Sequence, residues 1–268
     1  RIIFLLMNWS RYFMNNSCII GYGVVGKAMG EVFGIDKYFD LNGSTITLKE
    51  AATYNIVFVC LPTPVAADGS YITSDIESII RQIEGYGGAG IYVIRSTVQP
   101  GFAKHFMDIL GIDRMVSNPE FLSEKTAVKD MSHPPFILIG STIPRYADIV
   151  RGWFEAIIKT TTILLTDTTT AEMAKLAMNA YFSAKVIFAN QLYDACRRLN
   201  ANYERVKDVL ESHPFGPKNH FTVWYNGKRG VDGRCLKKDL HAFVHYTGLD
   251  IMKTIAQLNE GYIHETAV

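Results

Sequence analysis

Residues 169–199, TTAEMAKLAMNAYFSAKVIFANQLYDACRRL, decide the fold of the second part of this chain. They contain neither glycine nor proline and are apolar almost all round, which is typical of a buried helix. Thr169 as N-cap, with Glu172 three residues later, predicts a capping box at the start. Four polar residues recur at steps of three and four and therefore share one helix face: Glu172, Lys175, Asn179 and Ser183.

A buried lysine and a buried amide on one helix face need partners, because an unpaired polar group in a core is costly. The pattern fits a capped core helix whose polar groups are satisfied by neighbouring loops. It fits equally a helix that carries active-site groups. The stretch is long enough to span a membrane, but Lys175, Lys185 and Asp194 interrupt it too often for that role.

The composition is that of a globular protein. The 268 residues are 48% apolar and carry a net charge of +1, which allows a sizeable core and gives no electrostatic footprint for nucleic acid or an anionic membrane. The four cysteines (Cys18, Cys60, Cys196 and Cys235) are widely spaced, as reduced intracellular thiols are. We therefore expect a cytoplasmic protein. Residues 1–13 are too short for a usual signal peptide, and we expect an N-terminal extension there.

A glycine-rich turn follows the first predicted strand, Ser17–Ile20. Its sequence, GYGVVG at residues 21–26, is the pattern GxGxxG, and the helix-like KAMGEVF comes directly after it. The first glycine permits a tight turn, the second lets a pyrophosphate approach the backbone, and the third lets helix and strand pack closely. Asp40 lies about twenty residues after the first glycine, where an acid binds the ribose hydroxyls of NAD. Lys37 and Lys49 leave NADP as an alternative.

Further short apolar runs predict strands that alternate with helices: Lys37–Phe39, Asn55–Cys60, Gly90–Ile94, Arg114–Val116, Phe136–Ile139 and Thr162–Leu165. Polar motifs stand at several strand ends, where ligands of such sheets bind. We predict an α/β fold with a Rossmann-type doubly wound parallel sheet in residues 14–168. An all-helical domain in residues 169–268, built on the long central helix, should follow it.

The last part of the chain contains a long polar loop, residues 212–234, before Cys235. A structureless loop of this length inside a compact domain is either disordered or functional. Cys235 stands at a predicted helix N-terminus, where the helix dipole and unpaired N–H groups favour a thiolate. His241 and His245 are four residues apart on that helix, as in some zinc sites. No clear third ligand follows them, so we predict no metal site.

Seven motifs occur in one order between residues 16 and 259: GYGVVG, VCLPTP, DGS, STVQPG, NPEFLSEKTAVKD, AEMAKLAMNAYFSAKVIFANQL and GRCLKKD. In this combination the chain resembles the UDP-glucose/GDP-mannose 6-dehydrogenase family. The resemblance implies oxidation of the C6 alcohol of a nucleotide sugar to the acid, with two NAD⁺ and no released aldehyde. It implies UDP-glucose as the first substrate to expect and a place in polysaccharide biosynthesis.

The resemblance also implies roles for single residues. Cys235 would trap the aldehyde as a thiohemiacetal, which is oxidised to a thioester and then hydrolysed by water. Lys175 and Asn179 would stabilise the oxyanion. Asp239 would hold a water that moves the first proton, and Glu124 would be the base for hydrolysis.

The implied site residues form three overlapping sets. The catalytic set is Cys235, Lys175, Asn179, Asp239, Glu124 and Thr97. The set that would bind NAD is Gly21, Gly23, Val25, Gly26, Asp40, Thr63, Thr97 and Glu124. The set that would bind the substrate is Glu120, Phe121, Leu122, Lys175, Asn179, Arg229 and Gly230, with Glu120 supporting its loop.

The chain departs from the family's pattern at two positions. Asp232 stands where the family usually has glycine and brings negative charge towards the nucleophile, whereas Lys237 replaces a usual proline and adds positive charge. The family usually continues into a second Rossmann-like domain that closes over the nucleotide. This chain stops after the central helices, so we expect contacts to the uracil or guanine base to come from the long loop, from a dimer partner or from a separate chain. The apolar central helix and the resemblance both predict a homodimer.

Two other functions fit parts of the sequence. Hydroxyacid dehydrogenases that resemble 6-phosphogluconate dehydrogenase also use a helix-borne lysine and asparagine, but they need no cysteine. A catalytically impaired NAD-binding protein with a regulatory or partner-binding role would explain Asp232 and Lys237. Thiol alkylation separates the first from a cysteine enzyme, and cofactor binding without turnover would identify the second.

Overall fold

The computed structural model describes residues 16–265, so the predicted extension at residues 1–13 lies outside the described residues. The chain divides into two compact units. The first comprises the described residues up to Pro64 together with Tyr71–Lys175, and the second comprises Val65–Ser70 with the residues from Leu176 onward. The domain boundary predicted at residue 169 remains a prediction.

The first unit is built on a seven-stranded sheet with the order β2-β1-β3-β4-β5-β6-β7. The strands are β1 Ser17–Ile20, β2 Tyr38–Phe39, β3 Ile56–Val59, β4 Ile91–Ile94, β5 Met115–Ser117, β6 Phe136–Gly140 and β7 Thr162–Thr166. The helices between them are α1 Val24–Phe33, α2 Leu48–Ala51, α3 Ser74–Gly85, α4 Phe102–Leu110, α5 Ala127–Ser132 and α6 Pro144–Glu155. The predicted α/β fold is therefore confirmed.

Both faces of the sheet are buried, which explains why its strands read as continuous apolar runs. Side chains alternate between the two faces of a strand. In β3, Ile56 and Phe58 pack into one hydrophobic cluster with Trp153, while Val57 and Val59 pack into a second cluster. Each fully buried large side chain stabilises the fold by roughly 1.5–3 kcal/mol.

The sheet is parallel except at one strand pair. Strand β6 pairs with β5 in the antiparallel direction, with Ser117 opposite Gly140, and it pairs with β7 in parallel. The segment after β5 runs back along β6, where the Asn118 side chain donates to the Leu138 carbonyl at 2.7 Å. The connection between β5 and β6 contains the 3₁₀ turn Glu124–Thr126 and the six-residue helix α5.

The second unit is helical, as predicted. Helix α7, Thr168–Arg198, begins in the first unit and continues here, followed by α8 Tyr203–Ser212, α9 Arg234–Thr247 and α10 Asp250–Tyr262. Residues 213–233 contain only an isolated bridge between Tyr225 and Lys228. Phe221 and Val223 in this segment are nonetheless buried.

Candidate active site

The glycine-rich turn has the geometry that its sequence predicts. Gly21 has φ +90°, and a Cβ there would lie 2.8 Å from the carbonyl oxygen of Cys60. A Cβ at Gly26 would overlap the carbonyl oxygen of Gly21, whereas a Cβ at Gly23 would meet nothing within 4 Å. The first and third glycines are therefore required by packing. The second glycine, at the N-cap of α1, leaves the space into which a phosphate can come close to the backbone. Val25 follows in the first turn of α1 and is half-buried.

Asp40 lies beside this turn. Its carboxylate accepts hydrogen bonds from the backbone N–H of Tyr22, at 2.7 Å, and from that of Asn42, at 2.9 Å. The hydrogen bond from Asn42, followed by that from Tyr22, lowers the pKa of Asp40. A charged acid at the end of β2, next to a glycine turn, fits the ribose of a dinucleotide.

Two threonines meet at the carboxyl ends of neighbouring strands. Thr63 follows β3, Thr97 follows β4, and the hydroxyl of Thr63 donates to the carbonyl oxygen of Thr97 at 2.6 Å. Thr63 is buried and Thr97 is half-buried. The structure thus brings together two residues that the sequence assigned to cofactor binding.

Lys175 lies near the start of α7 and is buried. Its Nζ is 3.2 Å from Oε1 of Glu120 and 5.3 Å from the centre of the Phe121 ring. The other oxygen of Glu120 accepts the backbone N–H of Leu122 at 2.6 Å. The carboxylate of Glu120 therefore binds both Lys175 and the backbone of the loop to which Glu120 belongs. Glu124, further along this loop, is exposed in the short 3₁₀ turn Glu124–Thr126.

The predicted capping box at Thr169 is wrong. Helix α7 begins at Thr168, and the carboxylate of Asp167 accepts the backbone N–H of Thr170 at 2.9 Å, as an N-cap does. Glu172, which belongs to the first unit, instead contacts other residues of that unit, and the sequence analysis did not predict these contacts.

Glu172 binds the N-terminus of α4. Its carboxylate accepts the N–H of Gly101 at 2.6 Å, the N–H of Ala103 at 3.1 Å and the hydroxyl of Ser117 at 2.8 Å. Burial raises the pKa of Glu172 to about 7, although these hydrogen bonds act to lower it. The only sequence signal for Glu172 was its position one turn before Lys175 on the same face of the helix.

The second unit brings together Asn179 and Asp239. The side-chain amide of Asn179 donates to Oδ2 of Asp239 at 2.6 Å, and Nζ of Lys238 lies 2.6 Å from Oδ1. Asn179 and Asp239 are both buried. Cys235 is one turn before Asp239, in the first turn of α9 after the N-cap Gly233, and it is exposed.

The two residues that depart from the family's pattern each form an ion pair. The carboxylate of Asp232 lies 2.7 Å from Nζ of Lys228, and this hydrogen bond lowers the pKa of Asp232. Lys237 pairs with Glu260 at 3.5 Å. Part of the negative charge that Asp232 brings to the start of α9 is therefore balanced within the loop.

The substrate-binding role predicted for Arg229 does not match its geometry. Its guanidinium is buried and donates to Asp194 at 2.9 Å and to Glu265 at 2.7 Å, as well as to Asn190. A side chain used in this way is a structural group rather than one presented to a ligand.

Packing of the loop against α10 requires glycine at position 230. Gly230 has φ +70°, and a Cβ there would lie 2.8 Å from Oδ1 of Asn259 and 3.0 Å from Cβ of Tyr262. Asn259 in turn exchanges two hydrogen bonds with the backbone of Val231. Only glycine fits this approach of the loop to α10.

The histidines of α9 are engaged with the protein. His245 Nδ1 is 2.8 Å from the carbonyl oxygen of Asp68, and His241 Nε2 is 3.4 Å from Oε1 of Glu260. Within residues 16–265, no cluster of three or more potential metal ligands is present. In the same part of the chain, every helix is too short or too polar to cross a membrane.

A glycine turn with an acid after the second strand defines a dinucleotide-binding domain. Residues 36–158 match the model of the NAD binding domain of the UDP-glucose/GDP-mannose dehydrogenase family, and residues 169–260 match its central domain. The chain belongs to this family, and its cofactor is NAD.

The curated relatives include enzymes named for UDP-glucose and enzymes named for GDP-mannose. The chain is 29% identical to the UDP-glucose 6-dehydrogenase of Rickettsia bellii (strain RML369-C) over 78% of its own length and 50% of that protein's. It is 30% identical to the GDP-mannose 6-dehydrogenase of Pseudomonas syringae pv. syringae over 79% of its length and 51% of that protein's. The chain thus spans about half the length of these relatives.

Solved structures share the fold. A UDP-glucose dehydrogenase from the hyperthermophilic archaeon Pyrobaculum islandicum superposes with a TM-score of 0.78 at 24% identity, covering 91% of this chain and 68% of that one. A GDP-mannose dehydrogenase from Pseudomonas aeruginosa superposes with a TM-score of 0.66 at 22% identity, covering 92% and 69%.

Proposed function

We propose that this protein oxidises the C6 alcohol of a nucleotide sugar to the carboxylic acid, with UDP-glucose as the first substrate to test. The observation that carries the proposal is the arrangement of α9. An exposed thiol, Cys235, stands in the first turn of this helix, and the buried pair Asn179–Asp239 lies one turn further. A two-electron alcohol dehydrogenase has no need of a nucleophile beside such a pair.

The proposed reaction balances as a four-electron oxidation. NAD⁺, when bound, would accept a hydride from the sugar carbon in each of the two oxidations. Between them the sulfur of Cys235 bonds to the aldehyde carbon, the S–H bond breaks and a proton reaches the former carbonyl oxygen. Loss of a hydride and of that proton then leaves a thioester. Water then breaks the C–S bond, which releases the acid and restores the thiol.

The chain's own groups would move protons and stabilise charge. Asp239 holds a water that takes the alcohol proton, and Asn179 donates to the oxyanion that forms when sulfur attacks. Lys175, held by Glu120 at 3.2 Å, stabilises the same developing charge. Glu124, which is exposed, activates the water that hydrolyses the thioester.

The glycine turn and Asp40 support NAD as the cofactor in this reaction. Gly23 leaves space for the pyrophosphate, and the carboxylate of Asp40 accepts two backbone N–H groups at the end of β2. An ionised acid at this position favours the unphosphorylated ribose of NAD and repels the 2′-phosphate of NADP. Lys37, the alternative ribose contact, pairs with Asp36 at 3.3 Å.

We test the activity by incubating the purified protein and NAD⁺ with UDP-glucose and GDP-mannose in parallel, and by measuring the sugar acid formed. The proposal expects acid from UDP-glucose, with the higher kcat/KM of the two. Formation of acid from GDP-mannose alone would show that the proposed substrate is wrong and the proposed type of reaction is right. NAD⁺ binding without acid from either sugar would favour the catalytically impaired NAD-binding protein. Unchanged activity after thiol alkylation would favour the two-electron hydroxyacid type.

We also propose that the protein forms a homodimer through α7. Tyr181 and Phe188, two turns apart on this helix, are 59% and 57% exposed, although aromatic rings of this size are usually buried. Tyr181→Ser with Phe188→Ser should lower the mass measured by light scattering to that of the monomer. Val209→Ser, at a residue 71% exposed on α8, is the matched control and should leave the mass unchanged.

A further inference from the structure

Arg95, directly after β4 in the first unit, is a buried arginine with few partners. It is 5% exposed. One terminal nitrogen donates to Oδ1 of Asn118, and the other lies 3.7 Å from the sulfur of Met131. Within residues 16–265, Nε of Arg95 has no hydrogen-bond partner and no carboxylate forms an ion pair with the guanidinium.

A buried charge is normally paired, because removing an ion from water is costly. Burial lowers the pKa of Arg95. The charges of Cys60 and Glu120 act to raise it but do not overcome the effect of burial. An arginine does not lose its proton under ordinary conditions. The guanidinium therefore remains a cation, and its buried Nε has no hydrogen-bond partner within the described residues.

This cation lines a cavity of about 300 Å³ in the first unit, which is open at one side. The volume is at the small end of the range for ligand sites. Four aromatic rings contribute to the apolar wall: Phe33, Phe121, Phe136 and Phe154. Two carboxyl groups, Glu120 and Asp130, also line it.

The cavity is separate from the dinucleotide site. The residues of the glycine turn, Asp40, Thr63 and Thr97 do not line it, and neither does Lys175. It shares three residues of one loop, Glu120, Phe121 and Leu122, with the predicted substrate set. Through Glu120, which contacts Lys175, this loop would transmit occupancy of the cavity to the lysine.

We propose that this cavity is a second binding site, for a small monocarboxylate with an apolar, ring-sized body. The carboxylate pairs with the guanidinium of Arg95, which lines the cavity, and the body of the ligand packs against the aromatic side chains. A monoanion fits better than a phosphate, because Glu120 and Asp130 repel each further negative charge. The cavity adjoins the loop of the predicted substrate set, but the inference does not depend on the proposed reaction.

Benzoate and benzamide test the charge requirement, since they have nearly the same shape. We titrate each into the purified wild-type protein, with and without saturating NAD⁺, and measure affinity by calorimetry and saturation-transfer NMR. We expect benzoate to bind at least about tenfold more tightly than benzamide, because a charge-assisted hydrogen bond is involved. NAD⁺ should not displace it.

Arg95→Met removes the charge at nearly constant volume and should reduce the benzoate affinity to that of benzamide. Arg145→Met is the control, because Arg145 is an exposed arginine of the same unit and should leave binding unchanged. Equal affinities of the wild type for both probes, displacement of benzoate by NAD⁺, or unaltered binding by Arg95→Met would each overturn the proposal. The comparison of the two probes on the wild type needs no variant and therefore decides the question even if Arg95→Met does not fold.

Discussion

The two units each contain a buried arginine, and the surroundings of the two differ. Arg229 in the second unit is 2% exposed and Arg95 in the first is 5% exposed. Arg229 pairs with Asp194 and Glu265, and its guanidinium lies 4.3 Å from the centre of the Tyr262 ring. Burial acts to lower the pKa of Arg229, but these carboxylates outweigh it and the pKa is raised. For Arg95 burial prevails and the pKa is lowered.

This difference separates a structural cation from one that is suited to a ligand. The sequence analysis assigned Arg229 to the substrate and gave no role to Arg95. The partners of Arg229 in the structure argue against its assignment, because a guanidinium that already has two carboxylates has little left to offer a ligand. Burial alone therefore does not identify a charged side chain that binds a ligand. The hydrogen-bond and ion-pair partners of the side chain must be considered as well.

The largest effect on stability should come from Arg229→Met. The change leaves Asp194 and Glu265 without their cation. Breaking a fully buried pair on one side costs about 3–5 kcal/mol, and the loss here should be smaller because these carboxylates are 28% and 47% exposed. Urea denaturation followed by circular dichroism measures the loss. Arg205→Met, at an exposed arginine of the same unit, should change the free energy of unfolding by less than about 0.5 kcal/mol. A loss equal to that control would show that the Arg229 cluster contributes nothing.

Glu172→Gln should alter the pH dependence of stability. The pKa of Glu172 is about 7 in the fold against 4.5 for the ordinary carboxyl, so the folded state binds the proton more tightly. The stabilisation is fully present below pH 4.5 and is lost as the pH rises through 7. At about 1.4 kcal/mol per unit, the loss approaches about 3 kcal/mol.

The stability of the wild type relative to Glu172→Gln should therefore fall between pH 5 and pH 8. Unfolding midpoints at both pH values measure it. Glu155→Gln, at an exposed glutamate of the same unit, is the control and should show a flat difference. A difference for Glu172→Gln that rises with pH would mean that its hydrogen bonds, rather than its burial, dominate the carboxyl.

Arg95→Met should change the free energy of unfolding by no more than about 1 kcal/mol. The variant leaves Oδ1 of Asn118 without its donor, which costs about 1–3 kcal/mol. It also removes an unpaired buried charge, and replacing buried charges by apolar groups often gains 1–4 kcal/mol. The same urea titration measures it. A loss as large as that for Arg229→Met would remove the contrast between the two arginines.

The smallest effect should come from Asp232→Asn. The Asp232–Lys228 pair is on the surface, with side chains 41% and 53% exposed, and such pairs contribute about 0–1 kcal/mol. The unfolding midpoint should hardly move, and the small difference should vanish in high salt. A shift that persists at 1 M salt would indicate a contact other than the ion pair.

The elements with local sequence signals could be predicted. The glycine turn and Asp40 were found because a close approach of backbones requires glycine at fixed positions. Helix α7 was found because its apolar residues continue for many turns. Its polar face correctly indicated that Lys175 and Asn179 need partners.

The partners themselves depend on contacts that are distant in the chain. Glu172 could cap its own helix or reach Gly101 and Ser117, and only the packed structure decides between these. In the same way nothing in the loop sequence indicated that Arg229 meets Asp194 and Glu265. The antiparallel β6 was missed because strand direction depends on the path of the connection rather than on the strand's composition.

The central claim, that Cys235 carries a four-electron oxidation, is tested most directly by counting NADH. The purified wild type and Cys235→Ala are each given a limiting amount of UDP-glucose with excess NAD⁺, and absorbance at 340 nm is recorded to completion. The account predicts two NADH for each sugar consumed by the wild type. It predicts at most one for the variant, whose unfolding midpoint should match that of the wild type because the thiol is exposed. Two NADH per sugar from Cys235→Ala, or one from the wild type, would contradict it.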